Sequence, residues 1–338
     1  YFGGDQYAYA RQTPDNDLDF TEDYTFETWI RLKDSNTNGN IIIDQQDVFS
    51  LEITNVSSSN YAIKFSSYTT NATLISNEDL TLNKWTHIAI TWDKSTGELI
   101  GYIDGTQVAI VNGLSNSWAG TTTPLIIGVD PADTSTLGFN GEMDEIRIWS
   151  KGKTIQEIRS NIYLTLTGNE ANLISYWQCN NASTTTLRDE KGLFHANLVN
   201  SATKVSSTLF VGAGLSETHT IQSNIGFVED FTTVDFELSV EIYDNIFGTG
   251  DIVVSKITGE PNPALSNVIA PYADNYWIVR LYGGGDIDAY PTFKFNNFLT
   301  NADKISDISL FKREYHSHLE WDFVQTGRFM SFPNQTTS

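Results

Sequence analysis

The chain has 338 residues, 40% of them hydrophobic, and carries a net charge of −22 at pH 7 with a pI near 4.4. This length and apolar content allow two domains with real cores. The acidity is spread over both halves, which excludes nucleic acid and anionic lipid as natural partners and favours solubility and cation binding. No apolar run approaches the roughly 18 residues of a membrane span, so membrane insertion is not expected. Cys179 is the single cysteine, so no internal disulfide can form. A secreted chain without bridges is ordinary among large bacterial exoproteins. The sequence starts without Met or a signal-like basic segment, so it is expected to be a mature or excised segment.

In chain order the pattern is all-β. Thr25-Phe-Glu-Thr-Trp-Ile-Arg-Leu-Lys33 alternates, with Phe26, Thr28, Ile30 and Leu32 on one face. Val48 to Ile53 and Tyr61 to Phe65 are further short runs bounded by Asn and Ser turns. Trp85 to Asp93 is strongly β-prone. Glu98 to Ile103 meets Asp104-Gly105 and continues as Thr106 to Val111, which predicts a hairpin because both turn residues tolerate positive φ. Thr154-Ile-Gln-Glu157 is a capping box and predicts one short helix ending near Asn161. Leu173 to Cys179 and Phe194 to Val199 close the first domain.

Asn200 to Thr208 is small and polar and reads as a linker. Beyond it, Val234, Phe236, Leu238, Val240 and Ile242 alternate along one strand. Tyr276–Tyr282, Pro291–Phe295, Ile305–Lys312 and Leu319–Val324 read as more strands. The expectation is two antiparallel β-sandwiches in tandem, residues 1–200 and 201–338, with jelly-roll character.

Several pieces of the first 200 residues fall in a telling order. They are Phe2-Gly-Gly-Asp5, Tyr24-Thr-Phe-Glu-Thr-Trp29, Lys84-Trp85-Thr-His-Ile-Ala-Ile-Thr-Trp92, Tyr102-Ile-Asp-Gly105, Ile127-Gly128 and Phe139 to Trp149. This set resembles the laminin-G-like and pentraxin-like jelly roll, the concanavalin-type sandwich. Pro261-Asn-Pro263 followed by Asn275-Tyr-Trp-Ile278 is similar to modules of large secreted surface proteins of the Bacteroidetes type. The resemblance implies a secreted or surface-associated, non-catalytic module in a larger chain, working in adhesion or in binding a glycan or surface polymer. The alternatives are a structural spacer and an accessory carbohydrate-binding region of a carbohydrate-active enzyme.

The resemblance also implies calcium, which needs several hard oxygen ligands converging from loops. The first choice is Asp144 with the N-terminal strand at Gly4 and Asp5. The second, pentraxin-like, sets Gln46 and Asp47 against Asp130 and Asp133, although the Glu-Gln-Asp run of pentraxins is missing here. Some glycosidases on this fold place carboxylates as Glu-x-Asp-x-Glu, or with one added residue, on one strand face. Glu142 and Asp144 fill two of those places, but Ile146 and Arg147 stand where the third carboxylate is needed. Asp144 and Glu145, being consecutive, are expected on opposite faces.

Other signals are thin. Trp118, in the loop Asn116-Ser-Trp-Ala-Gly120, is the candidate platform for stacking a sugar, with Asp47 and Asp130 as nearby polar contacts. His316 and His318 share a strand face without a third ligand nearby in sequence. Gly283-Gly-Gly285-Asp286 reads as a turn rather than a phosphate cradle. Cys179 is expected to be a buried, inert thiol. The sequons at Asn55, Asn71, Asn181 and Asn334 are what chance supplies in so Asn-, Ser- and Thr-rich a chain.

Overall fold

The computed structural model describes residues 1–3, 5–10, 18, 20–33, 40–57, 60–78, 80–114, 123–221, 227–231, 238–245, 249–259, 275–283, 287–293, 309–312 and 322–326. They form two compact units, Tyr1–Ile158 with Leu166–Leu209, and Arg159–Thr165 with Phe210–Ser338. Both units are built of β-strands, and Ile155–Asn161 is the one α-helix among the described residues.

The first unit contains two sheets. The first runs Phe2–Gly3, Asn140–Trp149, Tyr24–Leu32, Trp85–Asp93, Glu98–Ile103 and Thr106–Val111, with Leu173–Trp177 also paired to Asn140–Trp149. The second runs Thr186–Leu187, Ala196–Val199, Tyr7–Ala10, Leu125–Ile127, Asn40–Gln45, Phe49–Ser57, Asn60–Ser67 and Ala72–Ile75. The short hairpin Val129–Asp130 and Asp133–Gly138 attaches to the second sheet beside Asn40–Gln45. One core cluster takes Phe26, Ile30, Ile88 and Ile90 from the first sheet and Ile43, Leu51, Ile63 and Phe65 from the second, so the sheets stack as a sandwich. Each such side chain contributes roughly 1.5–3 kcal/mol by leaving water.

The local expectations hold at the turns. Asp104 (φ 47°) and Gly105 (φ 75°) join the two strands of the hairpin. At the helix, the Thr154 amide donates to Glu157 Oε2 (2.9 Å) and the Glu157 amide to Thr154 Oγ1 (3.3 Å), which is the predicted capping box. Gly141 is needed for a different reason. A Cβ there would lie 2.4 Å from the Arg31 carbonyl oxygen and 2.7 Å from the Phe139 ring.

The expectation about Asp144 and Glu145 is corrected. The pairing between Asn140–Trp149 and Tyr24–Leu32 shifts register between Asp144 and Arg147, and Glu145 adopts φ 54°. This β-bulge turns Glu145 to the outer side of the first sheet, where its Oε2 accepts from Arg147 (2.7 Å) and from the Tyr176 hydroxyl (2.7 Å).

That outer side is closed. Ile155 and Ile158 of the helix pack on Ala89, Ile100 and Tyr102. Trp149, Leu173 and Tyr176 form a neighbouring patch with Leu166. Beneath this cover lies Glu27, fully buried. It accepts from the Trp149 indole (2.9 Å) and is approached by Lys153 (3.4 Å), His87 (3.5 Å) and Arg147 (3.6 Å). Burial by itself raises the pKa of Glu27. Lys153, the His87 hydrogen bond and Arg147 outweigh it and hold the carboxyl well below the usual carboxylate range.

In the second unit, Gly214–Ile221, Gly250–Thr258 and Asn275–Tyr282 make one antiparallel sheet. Phe227–Phe231, Leu238–Asn245 and Ile287–Phe293 make another, and Ser309–Lys312 pairs with Asp322–Thr326. Pro291 lies on the last strand in the order of its sheet, opposite Val240, the kind of position to which proline in sheets is confined. Asp251 accepts from Thr220 (2.7 Å) and pairs with Arg159, whose guanidinium sits 4.1 Å from the Tyr282 ring centroid. Val234 and Phe236 lie outside the described residues.

Removing Glu27 leaves the buried Lys153 without its counter-charge and Arg147 with Glu145 alone. Glu27→Ala is expected to destabilise the first unit by about 3–5 kcal/mol, read by urea unfolding followed through tryptophan fluorescence. The pH dependence has a definite sign. Because the folded pKa lies below the usual 4.5, the stabilisation is present above 4.5 and is lost as pH falls through the folded value. The variant should lack that part of the acid limb.

Candidate functional site

Alternation along the second sheet of the first unit sends Ala8, Ala10, Leu125, Ile127, Ile43 and Leu51 into the core. Their neighbours face away from it. Strand pairing aligns these outward residues in one transverse row, Asn197, Tyr9, Ile126, Asp44, Ser50, Ser66 and Thr73. Asn197 and Thr73 are exposed, Tyr9 and Ser66 half-buried, and Asp44 and Ser50 nearly buried. The helix Ile155–Asn161 packs against the first sheet, and Ile126 at the middle of the row on the second sheet is buried like Asp44 and Ser50.

Asp44 is the centre of this face. It is 3% exposed. Burial, then the charges of Asp130, Glu52 and Asp47, push its pKa up to about 8. At neutral pH the group is therefore largely protonated and can donate a hydrogen bond, while the carboxylates around it accept. Tyr68 stands at the edge, 51% exposed, with its hydroxyl donating to Ser50 Oγ at 3.2 Å. Lys64 is paired with Glu52 at 2.6 Å.

The neighbouring loops bring in Gln46, Asp47, Asp130 and Asp133. Asp47 is exposed at φ 66° in the tight turn closed by the Val48 amide on the Gln45 carbonyl (2.9 Å). Gln46 is exposed in the same turn, and its carbonyl accepts from Thr123 Oγ1 (3.2 Å). Asp130 accepts from the Ala132 amide (2.7 Å), which fixes the turn through Pro131. Asp133 is half-buried and pairs in register with Asp130 across that turn.

Asp144 lies elsewhere, on the outer side of the first sheet. It lines a cavity of about 40 Å³ with Glu142, Trp85, Cys179, Lys204 and Ser207. Burial and then Glu145 push its pKa up to about 7, opposed by hydrogen bonds from Ser207 and from the Glu145 amide (3.0 Å). Glu142 beside it is already paired with Arg31 and with Lys33 (3.1 Å). Asp5 is exposed on a bend, where its carbonyl accepts from Asn200 Nδ2 (2.8 Å). Gly4 and Trp118 lie outside the described residues, as do His316 and His318. Among the described residues no three His, Cys, Asp or Glu side chains converge as a metal site needs. Asp144 shares its cavity with the Glu142 carboxylate, which Arg31 and Lys33 neutralise.

Cys179 is half-buried at φ 61°, and burial pushes its thiol well up. That matches an unreactive thiol. Asp44 and Tyr68 were not singled out from the sequence. The run Ile41-Ile-Ile-Asp44 carries the signal for Asp44, since period-two alternation sets Asp44 opposite Ile43.

Residues 2–159 match the laminin G-type model of the concanavalin A-like lectin/glucanases superfamily, in keeping with the stacked antiparallel sheets of the first unit. Among solved structures, the chain is similar to a candidate carbohydrate-binding protein from Bacteroides ovatus at 19% identity and TM-score 0.49, over 58% of this chain and 56% of that one. The chain thus spans little more than half the length of that protein. It is also similar to a heptameric SAP-like pentraxin from Limulus polyphemus at 14% identity and TM-score 0.35, over 50% of this chain and 85% of that one. A third likeness is to domain 4 of an extracellular arabinanase from Geobacillus stearothermophilus, at 18% identity and TM-score 0.33, over 41% and 65%. No curated protein matches the sequence. No helix among the described residues is long and apolar enough to cross a membrane.

The raised pKa of Asp44 fixes a second pH dependence. The folded chain keeps a proton that the unfolded chain releases near 3.8, so stability falls as pH rises from 3.8 towards about 8. Asp44→Asn should remove that slope. Its melting temperature should exceed that of the wild type above pH 8 and match it below pH 4, as thermal melts across this range will read.

Proposed function

We propose that the first unit is a non-catalytic carbohydrate-binding module that takes glycan on the outer face of its second sheet, around Asp44, Tyr68 and Asp130. The observation that carries this reading is the row through Asp44 on the side of the second sheet that faces away from the core, with the exposed Tyr68 at its edge. A sugar hydroxyl both donates and accepts hydrogen bonds, which suits a protonated Asp44 set among carboxylates. Its apolar ring face suits the Tyr68 ring. The acidity of the face favours neutral over anionic glycans.

Two features support binding without cleavage. Arg147 occupies the place where the third carboxylate of the glycosidase pattern would stand, and its guanidinium is committed to Glu145 and Glu27. Glu142 is neutralised by Arg31 and Lys33 and is nearly buried, so it has no free route to a substrate. The wider setting belongs to the same proposal. The chain serves as an adhesion or glycan-binding module of a larger secreted or cell-surface bacterial protein. Weak single-site affinity would then be raised by many copies on one surface.

The test is retention of the full chain on an array of neutral and anionic polysaccharides, with release of reducing ends measured alongside. Tyr68→Ala should weaken retention about tenfold, the loss of ~1.4 kcal/mol. Asp44→Asn, which keeps the shape but not the acid, should shift ligand preference. Chelator in the same assay separates a cation-bridged mode from direct binding. Reducing ends released from any polysaccharide, or retention that Tyr68→Ala leaves unchanged, would overturn the reading.

A further inference from the structure

The ammonium of Lys204 sits in an unusual shell. Its Nζ lies 2.6 Å from the Ser183 carbonyl oxygen, 2.7 Å from Asn181 Oδ1, 2.8 Å from the Thr186 carbonyl and 2.9 Å from the Asn181 carbonyl. A lysine ammonium has three N–H donors. Four oxygens at hydrogen-bond distance exceed that number, so the group is surrounded as a spherical ion is, rather than bonded along fixed directions. All four acceptors are neutral and come from one loop. Backbone carbonyls arranged this way replace the hydration shell of a cation in ion-selective sites.

The shell is also built without the lysine. Asn181 Nδ2 donates to the Thr186 carbonyl (3.1 Å), and Ser183 Oγ accepts from the amides of Thr185 (3.3 Å) and Thr186 (3.1 Å). The Arg188 amide holds Asn181 Oδ1 (3.2 Å). These bonds aim the carbonyls inward independently of Lys204. We infer that the loop Asn181–Thr186 is a binding shell for a monovalent cation of the potassium or ammonium class, which this chain fills with its own Lys204. Size decides the class. Calcium takes oxygens at about 2.3–2.6 Å and magnesium at about 2.0–2.1 Å, both shorter than most of these contacts.

The tethered cation has a structural task. Ala202, Thr203, Val205 and Ser207, on either side of Lys204, line the cavity that holds Asp144. The neighbouring Thr208 Oγ1 accepts from Arg31 (3.3 Å) and from the Trp85 indole (3.2 Å). Filling the shell with a side chain fastens this segment over the first sheet without drawing an ion from solution. This inference stands apart from the glycan reading and does not use its site.

The experiment compares Lys204→Ala with the wild type in the full chain, by thermal melts in potassium, ammonium, choline and calcium chlorides at matched ionic strength. In choline the variant should melt lower than the wild type. Potassium or ammonium should raise its midpoint in a saturable way, because an ion bound only by the folded state adds RT ln(1 + [L]/Kd). Choline and calcium should not, and the wild type should not respond. Equal midpoints of the variant in all four salts, or the same potassium response in the wild type, would overturn the inference. Should the variant fail to fold, the wild type still decides. Lys204 should react with acetic anhydride about tenfold more slowly than the exposed Lys191, and equal rates would sink the idea.

Discussion

A carboxylate with almost no water around it is tolerable only while its counter-charges stay in place. Glu27 is such a group, and the closure of the first sheet depends on it. Lys153 reaches Glu27 from the segment leading into the helix, Arg147 from the strand beyond the bulge, and Trp149 from the end of that strand. Thr25 adds to this by accepting from the Lys153 amide (2.9 Å) and donating to the Lys151 carbonyl (2.7 Å). The chain after Trp149 is thereby drawn back across the strand Tyr24–Leu32. The helix then has a defined surface on which to bury Ile155 and Ile158. The strands Tyr24–Leu32 and Trp85–Asp93 are thus buried on both sides along almost their whole length.

The two sheets handle buried acids in opposite ways. Glu27 is kept charged by cations that face it from several segments. Asp44 has no such partner and is surrounded by other acids, so it gives up its charge instead. Both solutions avoid an isolated buried ion. The first yields rigidity and no spare valence. The second leaves a neutral acid that can donate a hydrogen bond, in the row whose edge carries the exposed Tyr68. That difference is why the candidate site is placed at Asp44 and not at Asp144, whose oxygens are already engaged by Ser207 and the Glu145 amide.

Strand periodicity made most of the first unit readable. Phe26, Ile30 and Leu32 face the core as the alternation requires, the Asp104-Gly105 turn joins its strands, and Thr154 with Glu157 caps the helix. What periodicity could not reveal is where it breaks. The bulge after Asp144 depends on one residue adopting positive φ, and glutamate gives no sign of that in a sequence. The site was partly legible. Asp47 and Asp130 were visible as loop acids, and the structure sets their charges against Asp44. Asp44 itself was hidden in an apolar run, and its character comes from burial and from residues distant in sequence. The Lys204 shell was equally invisible, since three of its four oxygens belong to the backbone.

The row through Asp44 has a consequence for how such a face can change. Its members come from strands scattered between Tyr9 and Asn197, and each lies next to a residue committed to the core. A single inserted or deleted residue within Asn40–Gln45 would exchange the two sides of that strand, putting Asp44 among the hydrophobics and Ile43 on the surface. Drift in length is thus barred inside the strands, whereas replacement of one outward side chain is nearly free. New specificities on this face should accumulate as point substitutions across many separate segments, with length variation confined to the connecting loops.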